Sequence, residues 1–86
     1  MQTYTYTPTG PVCSRRISFG IEDGKLHNVR FVGGCDGNLK AIGKLVEGKE
    51  AKDIAALLRG NDCGGRGTSC ADQLALAVEE ALAEGA

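Results

Sequence analysis

Four cysteines are the residues of this chain whose chemistry is most distinctive: Cys13, Cys35, Cys63 and Cys70. In a small domain of a reducing compartment, such a set indicates metal binding or thiol redox chemistry before structural disulfides. Thiolates are the preferred protein ligands of zinc and of iron–sulfur clusters. Our leading hypothesis is therefore one shared site, holding zinc or an iron–sulfur cluster, to which all four thiols contribute.

The spacing of the cysteines leaves two other interpretations open. None of the gaps is the two-residue gap of ribbon-type zinc sites. The thiols could instead be small buried side chains of the core, or they could form two disulfides, Cys13–Cys35 and Cys63–Cys70.

Two further features have weaker links to chemistry. The run Gly64-Gly65-Arg66-Gly67 could bind an anion through backbone amides, but it lacks the Lys-Ser/Thr of a phosphate-binding loop, and a turn that positions Cys63 explains it better. His27 is expected to be structural or exposed rather than a metal ligand. No Ser-His-Asp set or carboxylate pair stands out, so no catalytic residue is predicted.

Length and composition bound the function. The 86 residues suffice for one domain, residues 1–86, and 13 glycines with no tryptophan leave few bulky core side chains. A metal, a disulfide or a partner subunit would offset that lean core. The near-balance of 10 basic and 11 acidic residues argues against a nucleic-acid partner. No apolar leader or membrane span is evident, so a cytoplasmic location is expected.

The first half of the chain reads as three strands. Residues 2–7 alternate Thr and Tyr before Pro8, which predicts an edge strand. Two further runs, from Cys13 to Ile21 and from His27 to Cys35, have apolar residues mostly on odd positions and predict a hairpin. Keeping both apolar sets on one face requires an odd-length loop, which excludes a two-residue loop at Asp23-Gly24. Cys13 and Cys35 would then meet at the open end of the hairpin.

The second half has helical spacing. Three helices are predicted, with apolar stripes formed by Leu39, Ile42, Leu45 and Val46, then by Ala51, Ile54, Ala55 and Leu58, then by Cys70, Leu74, Ala77, Val78, Ala81 and Leu82. Gly48 and Gly60 are expected to end the first two helices, and Ser69 to cap the third, whose first turn holds Cys70. The glycine-rich loop before that helix could bring Cys63 close to Cys70.

The segment Thr68-Ser69-Cys70-Ala71-Asp72 resembles the Thr-Ser-Cys-Pro-Asp motif of the TSCPD domain, with Ala71 where proline is usual. The chain is similar to the stand-alone four-cysteine branch of that family. The resemblance implies a link to adenosylcobalamin-dependent ribonucleoside-diphosphate reductases, which carry related domains at their C-termini. Because 86 residues cannot hold the reductase barrel or its cobalamin site, the expected role is an accessory module.

A more distant resemblance is to the IscU/NifU-type iron–sulfur scaffolds, based on the element order and on Cys13, Cys35 and Cys70. Arg15 stands where the scaffolds have Asp, Ser69 stands where His usually precedes the third cysteine, and Cys63 is extra. An all-thiolate set would hold a metal more permanently than a transfer site does.

Together these features predict an α+β fold with about three antiparallel strands followed by three helices on one face, IscU/NifU-like. The predicted function is a metal-binding accessory module whose partner is a ribonucleotide reductase or another redox enzyme. A thiol redox relay through Cys63 and Cys70 and an iron–sulfur scaffold are the alternatives. The oligomeric state is left open by the sequence.

Overall fold

The computed structural model describes residues 2–9, 12, 14–33, 36–61, 65 and 67–85. Its elements are β1 (Gln2–Tyr6), β2 (Arg16–Glu22), β3 (Lys25–Val32), α1 (Asp36–Val46), α2 (Ala51–Leu58) and α3 (Cys70–Ala83). The strands form an antiparallel sheet in the order β1-β2-β3. This arrangement confirms the predicted α+β class and the edge position of β1.

The core lies between one face of the sheet and the helices. Alternation along β2 turns Ile17, Phe19 and Ile21 inward, and they pack in one cluster with residues of β3, α1, α2 and α3. The largest fully buried side chains are Phe19, Ile17, Leu26, Leu74 and Val78. Several of the buried residues of α2 and α3 are alanines, whose small side chains permit close packing of helices. None of the helices in the described part of the chain has the length and apolarity that a bilayer crossing requires.

The hairpin turn corrects the prediction of an odd-length loop. Glu22 pairs with Lys25, so the loop consists of Asp23 and Gly24 alone. Both have positive φ, 53° and 76°, as a two-residue turn that matches the strand twist requires. The excluded loop is therefore the one that forms.

A β-bulge explains why the prediction of an odd-length loop was wrong. The pairing is Ile21 with Leu26 near the turn but Ile17 with Phe31 farther along, because the register shifts between Ser18 and Gly20. Asn28, with φ 55°, lies in this irregular stretch of β3. An extra residue in one strand changes the parity of the pairing. Both odd-numbered apolar sets can therefore share a face despite the even loop.

Three smaller expectations are also corrected. Between the turn and the bulge, Leu26 is the residue of β3 that faces the core, and it is fully buried. His27, which the odd-position pattern placed on that face, is only half-buried. Leu45 is 72% exposed because it lies outside the stripe of α1 that faces the sheet. β2 begins at Arg16, since Ser14 and Arg15 are not in the ladder. The stop signals at Gly48 and Gly60 are confirmed by their positive φ.

Gly43 sets how closely α1 approaches β3. A Cβ built at Gly43 would lie 2.8 Å from the backbone carbonyl oxygen of Val29, a contact that neither backbone can relieve without moving. Gly43→Ala is expected to lower the free energy of unfolding by about 1–3 kcal/mol. Gly37→Ala in the same helix meets nothing within 4 Å and is expected to be neutral or slightly stabilising. Urea unfolding of the two variants measures the difference, and equal effects would contradict this account of the close contact.

Candidate functional site

Ser69 connects the start of α3 to Asn61, three residues beyond the end of α2. Its hydroxyl caps α3 by accepting a hydrogen bond from the Asp72 N–H, with 3.0 Å between the heavy atoms. The same hydroxyl donates to the Asn61 carbonyl oxygen at 2.6 Å and accepts from the Asn61 side-chain amide at 3.2 Å. The two ends of the loop between Asn61 and Ser69 are therefore held together.

Asp72 makes a second connection between the same segments. Its carboxylate accepts hydrogen bonds from the Thr68 hydroxyl at 2.5 Å and from the Gly60 N–H at 2.6 Å, while the residue is only 6% exposed. The Thr68 hydroxyl foremost, together with the Gly60 N–H and the positive charge of Arg59, holds the pKa of Asp72 below its usual range. An ionised carboxylate is thus part of the folded structure.

Gln73 extends the network to the segment that follows β1. Its side-chain amide donates to the Thr68 hydroxyl oxygen at 3.0 Å, and its side-chain carbonyl accepts from the Thr9 N–H at 3.0 Å. The residue is 2% exposed, so these bonds satisfy polar groups that water does not reach.

Cys70 is the first residue of α3 and is half-buried. The Ser14 hydroxyl donates a hydrogen bond to its sulfur, with 3.2 Å between Oγ and Sγ. Ser14 itself is buried, and the neighbouring Arg15 N–H donates to the Val32 carbonyl at 2.7 Å. The segment before β2 is therefore hydrogen-bonded both to the start of α3 and to the end of β3.

The polar network is centred on Thr68-Ser69-Cys70-Ala71-Asp72, and a family model for the TSCPD domain matches residues 1–82. The chain belongs to the TSCPD-domain family. Searches of curated proteins and of solved structures give no match to it.

The geometry explains most of the motif of this TSCPD domain. Ser69 is the helix cap, and Thr68 and Asp72 are hydrogen-bonded to each other. Ala71 lies in the first helical turn, where backbone N–H groups have no intrahelical partner. Proline can stand there as well as alanine, so the departure from the usual motif fits this structure.

The sequence-predicted site residues are described unequally. Cys70 begins α3, as predicted, and carries a free thiol. Cys13, Cys35 and Cys63 lie outside the described residues, as do Gly64 and Arg66 of the glycine-rich run. Among the residues that the structure does describe, no group of three His, Cys, Asp or Glu side chains could hold a metal ion. The four-cysteine site thus stays a prediction.

His27 has a structural partner in the TSCPD domain. Its Nδ1 lies 2.9 Å from Oε2 of Glu47, and the other oxygen of the same carboxylate accepts from the Asn28 N–H at 2.8 Å. These contacts join the bulge of β3 to the segment that follows α1. The expectation that His27 is a structural residue agrees with this geometry.

Sequence reasoning missed Ser14, Asn61 and Gln73 as parts of the site. Gln73 had a usable signal, since it lies on the apolar stripe of α3, where a polar side chain requires a buried partner. Ser14 and Asn61 had none, because their partners are 56 and 8 positions away and are brought close only by the packing of separate segments.

Proposed function

We propose that this TSCPD domain is a metal-binding accessory module, in which Cys13, Cys35, Cys63 and Cys70 hold zinc or an iron–sulfur cluster. The observation that carries the proposal is the hydrogen-bond network around the start of α3, which connects Cys70 and Ser69 to described residues that flank Cys13 and Cys63.

Described residues on either side of Cys13 are hydrogen-bonded to α3. Thr9 donates to Gln73 on α3, and Ser14, the residue after Cys13, donates to the sulfur of Cys70. Consecutive Cα atoms are only about 3.8 Å apart. The anchor at Ser14 therefore supports a position of Cys13 close to Cys70.

Described residues near Cys63 and near Cys35 are also hydrogen-bonded to other segments. Asn61 is hydrogen-bonded to Ser69. Cys63 follows Asn61 by two positions, so the chain itself limits the distance between the Cα atoms of Asn61 and Cys63 to about 7 Å. Cys35 falls between the end of β3 and the first residue of α1, and the end of β3 is bonded to the segment that holds Ser14. Together these contacts support the proposal that the four thiols lie at one end of the molecule.

The chemistry of Cys70 fits a ligand role. The first residues of a helix have backbone N–H groups without intrahelical partners and lie at the positive end of the helix dipole, a position that suits a metal site with anionic ligands. An O–H donor on the sulfur, here from Ser14, is the kind of outer contact that orients metal ligands. Four thiolates would form a closed site, in which zinc or an iron–sulfur cluster stabilises the fold instead of performing catalysis.

The proposed biological setting is ribonucleotide reduction, by the family resemblance to the C-terminal domains of cobalamin-dependent reductases. The cobalamin and the barrel would belong to the reductase partner. The TSCPD domain would act as an accessory part bound to that enzyme or to another redox enzyme.

The tie between Asn61 and Ser69 also favours a second candidate function, a thiol redox relay. It limits the distance between the segments of Cys63 and Cys70, so the two thiols could form a disulfide. Their oxidation would release two electrons and two protons, which would reduce one disulfide of the reductase to two thiols. An iron–sulfur scaffold is a further alternative, in which the cluster would be cargo.

Elemental analysis of protein purified without a tag under anaerobic conditions, with a visible absorption spectrum of the same sample, tests these functions. About one zinc per chain without visible bands, or iron and sulfide with bands of a cluster, would support the metal module. Loss of the cluster to an added apo-acceptor would favour the scaffold. Protein without metal whose Cys63 and Cys70 form a reversible disulfide, seen by mass-resolved thiol labelling, would overturn the metal module and support the relay.

A further inference from the structure

A groove of about 530 Å³ lies between β3 and α1. Its β3 wall contains Arg30, Phe31 and Val32, and its α1 wall contains Lys40 and Lys44. The volume is in the range of protein pockets that hold small molecules or short peptide segments, roughly 300–1,000 Å³.

The charge of the groove is opposite to that of the whole chain. Arg30, Lys40 and Lys44 are exposed basic residues on its walls, whereas the net charge of the chain is −1. The acidic residue of the lining, Glu47, is held by the Asn28 N–H and His27, which also keep its pKa below the usual range. No ion pair links Arg30 or Lys44 to an acidic residue within the described parts of the chain. The groove is therefore suited to an anionic occupant.

The spacing of the lysines favours an extended peptide. Lys40 and Lys44 are four residues apart on α1, which corresponds to about 6 Å along the helix axis. Alternate residues of an extended chain are about 6.7 Å apart and point to the same side. Carboxylates at alternate positions of such a chain can thus pair with both lysines at once.

The opposite wall suits the side chains that lie between those carboxylates. Val32 is 45% exposed and Phe31 is half-buried, so β3 presents apolar surface to them. Leu39, the first residue of α1 in the lining, follows three earlier residues of that helix. The lining consequently has neither the free N–H groups of a helix N-terminus nor a glycine-rich turn, the features that cradle phosphate.

We propose that the β3/α1 groove binds an extended acidic segment of a partner protein, with acidic and apolar residues in alternation. Binding is expected to weaken as salt is raised, because the pairs lie at the surface and the Debye length is about 8 Å at physiological ionic strength. The proposal is independent of the metal site.

Fluorescence polarisation with the full chain and a labelled Glu-Val-Glu-Val-Glu peptide tests this proposal. Saturable binding is expected, with weaker binding of the permuted peptide Val-Val-Glu-Glu-Glu. The double variant Lys40→Glu/Lys44→Glu should weaken affinity at least about tenfold, since two attractive pairs become repulsive. Amide shift changes in an NMR titration should fall on Arg30, Val32 and Lys44.

The matched control is Lys49→Glu/Lys52→Glu, which changes the net charge equally at exposed positions outside the groove. Its affinity should stay within about twofold of the original. Equal loss in both double variants would reduce the effect to net charge and overturn the proposal. So would the absence of saturable peptide binding, or displacement of the peptide by ATP at lower concentrations than by unlabelled peptide, which would indicate a nucleotide site.

Discussion

Replacing Cys70 with serine is expected to remove most of the bound metal and to destabilise the fold at the same time. Structural zinc sites bind their metal with about 10–16 kcal/mol near neutral pH, and this energy is coupled to folding. Serine keeps the size of the side chain and can still hydrogen-bond to Ser14, but it is a poor metal ligand. The expected loss in the free energy of unfolding is at least about 3 kcal/mol.

The corresponding changes at Cys13, Cys35 and Cys63 should behave alike if the four thiols share one site. Each variant is purified anaerobically, and its metal content and thermal unfolding are measured on one sample. Gly43→Ala is the control, because it is expected to lower stability through a clash with the Val29 carbonyl and to keep the metal content unchanged. A full complement of metal in all four cysteine variants would refute the metal module.

Asp72→Asn is expected to lower the free energy of unfolding by about 2–3 kcal/mol near pH 7, since hydrogen bonds to a buried charged group are among the more stabilising ones. The carboxylate accepts from both Thr68 and the Gly60 N–H. An asparagine has only one acceptor oxygen, and its amide group would face a donor. The change breaks the link between α2, the following loop and α3.

The effect of this substitution should depend on pH in a defined direction. The pKa of Asp72 is lowered in the folded state, so its contribution to stability is fully present above the unfolded-state pKa of about 3.9. It is lost as the pH falls below that value and through the lower folded-state pKa. The stability difference between the original protein and Asp72→Asn should therefore be largest near neutral pH and shrink in acid.

Asp53→Asn is the matched control for the helix dipole, because Asp53 is likewise an acidic residue in a first helical turn but is exposed. Its effect should be no more than about 0.5 kcal/mol. Urea unfolding between pH 3 and pH 7 provides all the values. Equal losses for Asp53→Asn and Asp72→Asn, or a loss at Asp72 that does not change with pH, would contradict the buried network.

Local patterns were sufficient to predict the order and type of the elements. The alternation along β2 correctly predicted that Ile17, Phe19 and Ile21 are buried, and the helical stripe correctly predicted the buried face of α3. Both patterns are local, because each describes one element that packs against one core. The helix cap at Ser69 could also be predicted from the sequence, because the N–H group that donates to its hydroxyl belongs to Asp72, only three residues away. The family of the chain was indicated by five consecutive residues.

Only the tertiary structure decided the register and the details of the site. The bulge near Asn28 allows the two-residue turn that the alternation of apolar residues had excluded. The alternation pattern does not reveal that one strand contains an extra residue. The partner of Ser14 and one of the two partners of Gln73 come from segments far away along the chain, so these hydrogen bonds exist only once the N-terminal half of the chain packs against α3. The β3/α1 groove also depends on the tertiary structure. The close approach of α1 to β3 at Gly43 brings the lysines of α1 and Arg30 of β3 to the walls of one groove, and this approach is set by the packing of two backbones.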